Sequence, residues 1–386
     1  MKIKNIQAFS VDLSKLKKQD QVPLNRKNRQ PCGPMDRYTE YQGNRSLASP
    51  KWKAVVCVIE CSDGTFGLGL TQHNTPVIPI INDHFRELLT GLPVMATEKC
   101  YDIMIRSSAS YGNQGLTSFA ISAVDLALWD LKGKLLGRPV YELIGGPQKD
   151  HIVCYATGFD IEWYLELGFK AVKLPLLYGP SDGIEGLKRT EKMIAQTRKL
   201  IGNNIELMLD CWMALDVDYV IRLAEILKPY QLTWLEDYLL PQDLRGMAAV
   251  RERQPTLSLA SGEHWYLAES FMFAAENRLV DIFQPDIKWC GGMSAAIRIC
   301  HIAEAAGLSV APHGGMNDPY GQHLVYSMPA ARWGERSAGV SPPGVPLKNM
   351  VELPGTSVIK KGVLIPSDAP GFGIEVDKKW LNSIAI

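Results

Sequence analysis

The sequence predicts an α/β protein built around a (β/α) barrel, with a small antiparallel sheet and helices ahead of it. From about residue 150, short apolar runs alternate with amphipathic stretches, which is the pattern of repeated βα units. Before that point, strand-like runs joined by a turn are followed by helical patterns. A chain of 386 residues with 46% hydrophobic residues can bury a core of this size.

The N-terminal part is predicted to begin as a meander. Residues 1–12 alternate apolar and polar side chains, and a second strand is expected over 54–60. The turn at 62–64 and the run at 65–71 complete the small sheet.

Two helices are predicted after the meander. Residues 77–89 carry apolar side chains at helical spacing, and residues 118–136 are apolar almost all round, which predicts a buried helix. Gly137 and Pro139 form the stop signal of that helix.

The segment 14–52 is too long for an ordinary connection between strands. It is polar and mostly basic, and it contains Pro23, Pro31 and Pro34. It fits either a lid over the mouth of the barrel or a disordered insertion, and we favour the lid.

Polar residues end nearly every apolar run of the second half. They are Lys173, Asp210, Glu236, Glu263, Asp286 and His313, and the intervals from Asp210 onward are 26, 27, 23 and 27 residues. Each interval matches one strand and one return helix, so these side chains are expected at the carboxyl ends of successive parallel strands. Any one acid could instead cap the next helix, but the series in register favours a shared active site.

Asp210, Glu236 and Glu263 form an all-oxygen ligand set, which predicts Mg²⁺ or Mn²⁺ rather than zinc. A bound divalent cation makes a proton beside a carboxylate removable, because it stabilises the charge that develops on the carboxylate oxygens. Asp286 and His313 end neighbouring strands and are predicted to form a dyad in which His313 is the base. Lys173 would add positive charge against the substrate, or would only neutralise the acids.

The composition excludes other classes of partner. Lys plus Arg number 41, as do Asp plus Glu, so no net charge draws the chain toward nucleic acid or a membrane surface. The N-terminus lacks the apolar stretch of a signal peptide, which favours a cytoplasmic location. Eight scattered cysteines without a Cys-x-x-Cys pair predict free thiols and no zinc site.

Several segments resemble the mandelate racemase branch of the enolase superfamily. The run 123–134 resembles the cap-helix motif of that branch, 370–373 its closing segment, and 284–286 with 289–292 its strand-six segment. The resemblance implies an α+β capping domain over a (β/α)7β modified TIM barrel, and assembly as a homo-oligomer. The cap is expected over residues 1–140, with the lid at about 14–52, and the barrel over 141–350. A C-terminal segment, 351–386, is expected to return to the cap.

Within that branch, residues 210–213, 261–264 and 289–292 most resemble the L-rhamnonate dehydratases. This resemblance implies a Mg²⁺-dependent lyase that removes water from a small sugar acid and forms a 2-keto-3-deoxy acid. L-lyxonate and L-mannonate share the configuration near the carboxylate, so the choice of substrate stays open.

One departure from the branch bears on the reaction. Where its usual motif is Lys-x-Lys, this chain has Lys173-Leu174-Pro175, and proline cannot move a proton. A racemase needs proton donors on both faces of the substrate, so the sequence favours a dehydration. In that reaction His313 takes the α-proton and returns it to the leaving hydroxyl, which predicts syn elimination.

Three further residues are candidates for substrate binding. Arg45 matches the loop arginine of the dehydratases and suits a carboxylate or hydroxyl contact, although it could be a solvated loop charge. His264, beside Glu263, could donate to the substrate or belong to the core. Glu335 follows the expected eighth strand.

Two alternatives remain. A barrel glycosidase also places paired carboxylates at strand ends, but it requires neither Asp210 nor the dyad. A non-catalytic sugar-acid binder could keep the fold without the chemistry.

Overall fold

The computed structural model describes residues 1–13, 29–72, 75–337, 340–351 and 353–386. Part of the predicted lid, residues 14–28, therefore lies outside the described residues. No helix in the described ranges is long and apolar enough to cross a membrane. All eight cysteines are unpaired and buried.

The N-terminal sheet is an antiparallel meander, as predicted. Its strands are Ile3–Val11 (β1), Ala54–Cys61 (β2) and Phe66–Thr71 (β3). They pair in the order β1-β2-β3.

The helices of this domain confirm the two predicted ones. They are Val77–Pro79 (α1), Arg86–Leu89 (α2), Thr97–Ser107 (α3), Leu116–Leu136 (α4) and Val140–Leu143 (α5). A π-helical turn, Ile80–Phe85, joins α1 to α2, so the expected helix over 77–89 is continuous. Gly137 ends α4 in the left-handed conformation, with φ 65°.

Helix α4 packs on β3 at a distance that only glycine permits. A Cβ at Gly67 would lie 2.1 Å from the carbonyl oxygen of Ala127, and one at Gly69 would lie 1.9 Å from that of Ala123. This close approach lets α4 stay buried between the sheet and the barrel.

The second part is a barrel of parallel strands. They are Ile152–Thr157 (β4), Ala171–Pro175 (β5), Glu206–Asp210 (β6), Trp234–Glu236 (β7), Leu259–Ser261 (β8), Ile282–Phe283 (β9), Ser309–Val310 (β10) and Trp333–Arg336 (β11). Neighbours along the chain are neighbours in the sheet, and β11 pairs with β4. A parallel bridge between Val310 and Ala331 brings β10 to the start of β11 and closes the ring.

A helix follows each of the first seven barrel strands, which confirms the (β/α)7β pattern. The helices are Ile161–Glu166 (α6), Gly183–Ile201 (α7), Val217–Leu227 (α8), Leu244–Arg253 (α9), Leu267–Glu276 (α10), Gly292–Ala305 (α11) and Pro319–Ser327 (α12).

The C-terminal segment contacts both parts of the chain. Strand Val363–Leu364 (β12) pairs antiparallel with β4, and helix Lys378–Ile384 (α13) follows. The amide of Ile386 then donates to the carbonyl oxygen of Ser10 in β1.

Candidate active site

The predicted polar residues lie at one end of the barrel. Asp210 and Glu236 are the last residues of β6 and β7 and are direct neighbours in register. Glu263 lies two residues beyond β8, whereas Asp286 and His313 each lie three residues beyond β9 and β10. The carboxyl ends of parallel strands therefore bring these side chains together at the mouth.

Asp286 and His313 form the expected pair. Nδ1 of His313 lies 3.0 Å from Oδ2 of Asp286, and Nε2 lies 3.4 Å from Oε2 of Glu263. Burial opposes a charge on His313, but Glu263 and the hydrogen bond to Asp286 outweigh burial and raise its pKa to about 10. One ring nitrogen is thus anchored while the other faces the carboxylates.

Glu263 lies between nitrogen-bearing rings. The indole Nε1 of Trp212 donates to its Oε1 at 3.1 Å, and Nε2 of His264 is 3.1 Å from the same oxygen. Burial alone would raise the pKa of Glu263, but His313 and His264 outweigh burial and lower it. Glu263 is therefore an anion at the centre of the site.

Glu236 is buried and fully engaged. The Lys173 ammonium is paired with its Oε1, while Trp234 Nε1 at 2.8 Å and Gln284 Nε2 at 2.6 Å donate to Oε2. Burial nevertheless raises the pKa of Glu236 to about 8, against the opposing effect of Lys173. Burial also raises the pKa of Asp210. Additional positive charge would stabilise the ionised forms of these buried carboxylates.

The donor set fits a hard divalent cation. Oxygen donors dominate the mouth, and among the described residues one ligand atom each of Asp237, Glu263 and His264 lie within 4.8 Å of one another. Asp237 directly follows Glu236, and burial raises its pKa to about 7. The predicted ligand Glu263 belongs to this group, whereas Asp210 and Glu236 approach the site from the adjoining strands; their assignment as ligands stays a prediction.

Lys173 is buried on β5 between two acids. Its ammonium pairs with Glu236 and lies 2.8 Å from Oε1 of Glu335. Thr157 Oγ1 donates to the same oxygen at 2.6 Å, and the amide of Gly314 donates to Oε2 at 2.8 Å. Burial opposes the charges on Lys173 and Glu335, but their attraction raises the pKa of Lys173 and lowers that of Glu335.

The described part of the predicted lid, residues 29–52, contacts the barrel beside the carboxylates. The guanidinium of Arg45 stacks on the indole of Trp212, and burial lowers the pKa of Arg45 to about 10 although Asp210 and Glu263 oppose this. Gly33 also lies against Trp212, where a Cβ would be 2.8 Å from the ring. Arg29 holds the segment to the barrel through a bidentate pair with Asp182 at 2.8 and 2.9 Å.

An aromatic wall beside the dyad was not assigned a role from the sequence. The ring of Trp289 stacks on His264, with centroids 5.7 Å apart and planes 7° apart, and lies 5.4 Å from the ring of His313. Its indole nitrogen has no hydrogen-bond partner among the described residues. In the sequence, its position three residues after Asp286 was the feature that could have indicated a place beside the dyad.

One face of α4 is hydrogen-bonded to the segment that contains Trp289. Ser118 Oγ donates to the carbonyl oxygen of Trp289 at 2.6 Å, and Ser122 Oγ accepts from the amide of Gly291 at 2.8 Å. Asp125 accepts from both the amide and the hydroxyl of Ser294 at 2.9 and 2.6 Å. The N-terminal domain therefore helps to position the barrel loop that follows β9.

Comparisons with known families match both parts of the chain. Residues 46–145 match the mandelate racemase / muconate lactonizing enzyme N-terminal domain, and residues 160–380 match the enolase C-terminal domain-like family. The chain belongs to the mandelate racemase branch of the enolase superfamily. The expected superfamily, branch and fold are confirmed.

Individual relatives of this superfamily member agree with the closer resemblance. L-rhamnonate dehydratase of Saccharopolyspora erythraea is 36% identical over 385 residues, covering 98% of this chain and 97% of that protein. The crystal structure of rhamnonate dehydratase from Gibberella zeae complexed with Mg superposes with a TM-score of 0.89 at 30% identity, covering 100% of this chain and 96% of that one.

The same fold also occurs with another named reaction. The 3,6-anhydro-D-galactonate cycloisomerase from Zobellia galactanivorans superposes with a TM-score of 0.78 at 27% identity, covering 100% of both chains. Fold alone therefore does not select the reaction, and the residues at the mouth must do so.

Proposed function

We propose that this chain is a Mg²⁺-dependent sugar-acid dehydratase, a hydro-lyase, with L-rhamnonate as the first candidate substrate. The observation that carries the proposal is the His313–Asp286 pair, because Nε2 of His313, 3.4 Å from Oε2 of Glu263, faces the acidic mouth. The names of the dehydratase relatives support the choice of substrate.

His313 would remove the α-proton of the sugar acid. Asp286 accepts a hydrogen bond from Nδ1–H and so leaves Nε2 as the basic atom. After proton transfer, the imidazolium is stabilised by Asp286 and Glu263, and it can then protonate the departing 3-hydroxyl on the same face. The result is a syn elimination that yields an enol, which becomes the 2-keto-3-deoxy acid.

The opposite face of the substrate would meet a cation rather than a base. Lys173 keeps its proton, because Glu236 and Glu335 raise its pKa. Pro175, two residues later, has no proton to exchange. This arrangement supports dehydration over racemisation.

Asp210, Glu236 and Glu263 would hold the cation, with Asp237 and His264 beside them. When bound, the cation would hold the substrate carboxylate and stabilise negative charge there. Arg45 lies over the same mouth and would contact the substrate carboxylate or a hydroxyl. Glu335, kept anionic by Lys173, would orient hydroxyl groups as an acceptor.

A panel of sugar acids tests this function. The purified protein is incubated with Mg²⁺ and L-rhamnonate, L-lyxonate, L-mannonate and other aldonates, and keto products are trapped with semicarbazide. We expect a product from L-rhamnonate that disappears when EDTA is added. Hydrolysis of a glycoside that survives EDTA would instead identify a glycosidase, and binding without turnover a sensor.

The metal assignment has its own matched variants. Glu263→Gln keeps the size of the side chain but removes its charge, so product formation should fall at least about 100-fold. Glu87→Gln, an exposed residue of α2, should retain wild-type activity. Equal activity of the two variants would rule out Glu263 as a ligand.

A further inference from the structure

A second ion pair lies directly behind the dyad. Oδ2 of Asp286, the oxygen bonded to His313, is 3.9 Å from the ammonium of Lys288. That ammonium donates to Oδ2 of Asp318 at 2.7 Å. Asp286 is 1% exposed, Lys288 5% and Asp318 6%, so water screens these charges little.

Further hydrogen bonds hold each residue of this row, Asp286, Lys288 and Asp318, in place. The amide of Lys288 donates to Oδ1 of Asp286 at 2.8 Å, and Thr71 Oγ1 of β3 donates to the carbonyl oxygen of Lys288 at 3.1 Å. Asp318 caps the N-terminus of α12 by accepting from the amide of Tyr320 at 3.1 Å. The side chains therefore have little freedom to separate.

The ammonium of Lys288 lies between the carboxylates of Asp286 and Asp318. Burial raises the pKa of Asp318, Lys288 opposes that rise, and Asp286 adds to it. Without the ammonium, two buried carboxylates would face each other unpaired, and their repulsion would displace them. A displaced Asp286 is a poor acceptor for the hydrogen bond from Nδ1 of His313.

We propose that Lys288 is a positioning residue for the proton transfer: its ammonium, held by Asp318, fixes the Asp286 carboxylate in place so that Asp286 orients His313. The α-proton moves from the substrate to the imidazole and then to the departing hydroxyl, and neither Asp286 nor Lys288 exchanges a proton. This inference rests on the proposed function, in which His313 is the base.

The test compares Lys288→Met, Lys288→Arg and the double variant Lys288→Met/Asp318→Asn. A lone Lys288→Met change would leave the buried Asp318 carboxylate unpaired and could impair folding. The double variant also removes that carboxylate charge, so a loss of activity in it is not caused by a buried unpaired acid. Lys134→Met is the matched control, because Lys134 donates to the fully buried Asp130 at 2.7 Å in the N-terminal domain.

Kinetics with Mg²⁺ and the accepted sugar acid give the first readout. We expect kcat of Lys288→Met and of the double variant to fall about 10- to 100-fold, with KM changed less than about threefold. Lys288→Arg should recover part of the lost kcat because it restores the charge. Lys134→Met should match the wild type.

Proton NMR at fixed pH gives a second readout that needs no substrate. The Nδ1 proton shared with Asp286 should resonate far downfield, and its loss in His313→Asn assigns it. We expect this resonance to move or vanish in Lys288→Met and in the double variant, and to persist in Lys134→Met. An unchanged resonance in both Lys288 variants would overturn the inference, whereas a wild-type protein inactive on every sugar acid would reject only the proposed function.

Discussion

At the scale of single residues, the proposed chemistry depends on one ring nitrogen of His313. Nε2 of His313 has Glu263 at 3.4 Å, while Nδ1 is committed to Asp286. His323 is also a buried histidine, but its Nδ1 accepts from the amide of Tyr141 and burial lowers its pKa to about 3. Position among the carboxylates, rather than burial itself, therefore sets the pKa of His313, the residue that we propose as the base.

Substitution of the dyad tests this assignment. His313→Asn should lower kcat by about 10²- to 10⁴-fold, the usual contribution of a general base, and Asp286→Asn should lower it less. Activity is measured with saturating Mg²⁺ and sugar acid. His84→Asn, in the π-helical turn near the surface, is the control that should keep full activity, and a His313→Asn enzyme with comparable kcat would contradict the assignment.

The residues that follow the apolar runs and the Asp286–His313 pair were predictable from the sequence, but the other partners of these residues were not. Asp210, Glu236 and His313 could be found because an apolar run precedes each of them. Lys288 pairs with Asp318, which is 30 positions away. No local sequence pattern predicts such a contact between a loop and a helix cap. The role of Trp212 beneath Arg45 was hidden for the same reason, because it depends on how the lid folds back.

At the scale of elements, helix α4 links the two parts of the molecule. Ser118, Ser122 and Asp125 lie on one face, at the spacing that places side chains above one another. They hold the loop that follows β9, next to Asp286. The sequence predicted the burial of this helix from its apolar character, but not the polar stripe that contacts the barrel.

The pH dependence of the unfolding free energy should reveal the burial of Asp125. Burial raises the pKa of Asp125 to about 7, above its ordinary value of 3.8. The folded state therefore favours the protonated acid, and this contribution to stability is complete below about pH 4 and is lost as pH rises through about 7. Relative to Asp125→Asn, the wild type should lose up to roughly 4 kcal/mol of unfolding free energy across that range.

Chemical unfolding at pH 4, 5, 6, 7 and 8 measures this difference. Asp102→Asn, an exposed position of α3, is the control and should follow the wild type at every pH. Parallel pH profiles for the wild type and Asp125→Asn would show that Asp125 keeps the same proton affinity in both states.

The strands differ from the prediction mainly in length. The strands β9 and β10 contain only two residues each, so Asp286 and His313 lie on the loops beyond them rather than at their ends. The order of strands was predictable because each βα unit repeats a fixed length. The extra strand β12 was not, because its two residues pair with β4 from a distant part of the chain.

At the scale of the whole molecule, the mouth of the barrel gathers more negative than positive charge. Burial raises the pKa values of Asp210, Glu236 and Asp237. Grouped carboxylates of this kind destabilise the fold until a cation binds. The site is thus expected to link metal binding to folding.

Thermal unfolding measures that link. Mg²⁺ at about 100 times its Kd should add about 2.7 kcal/mol to the unfolding free energy, seen as a rise in Tm of several degrees. Glu263→Gln should lose most of this rise, whereas Glu87→Gln should keep it. An equal rise in both variants would place the cation elsewhere.

In the proposed reaction, His313 removes the α-proton of a sugar acid in a metal-dependent dehydration. The most direct measurement follows L-rhamnonate carrying deuterium at C2, incubated with Mg²⁺ and either the wild type or His313→Asn. We expect the wild type to form the 2-keto-3-deoxy acid with loss of the C2 deuterium and at a slower rate than with protium. His313→Asn should form product at least about 100-fold more slowly, and product formation by His313→Asn at the wild-type rate would contradict this assignment.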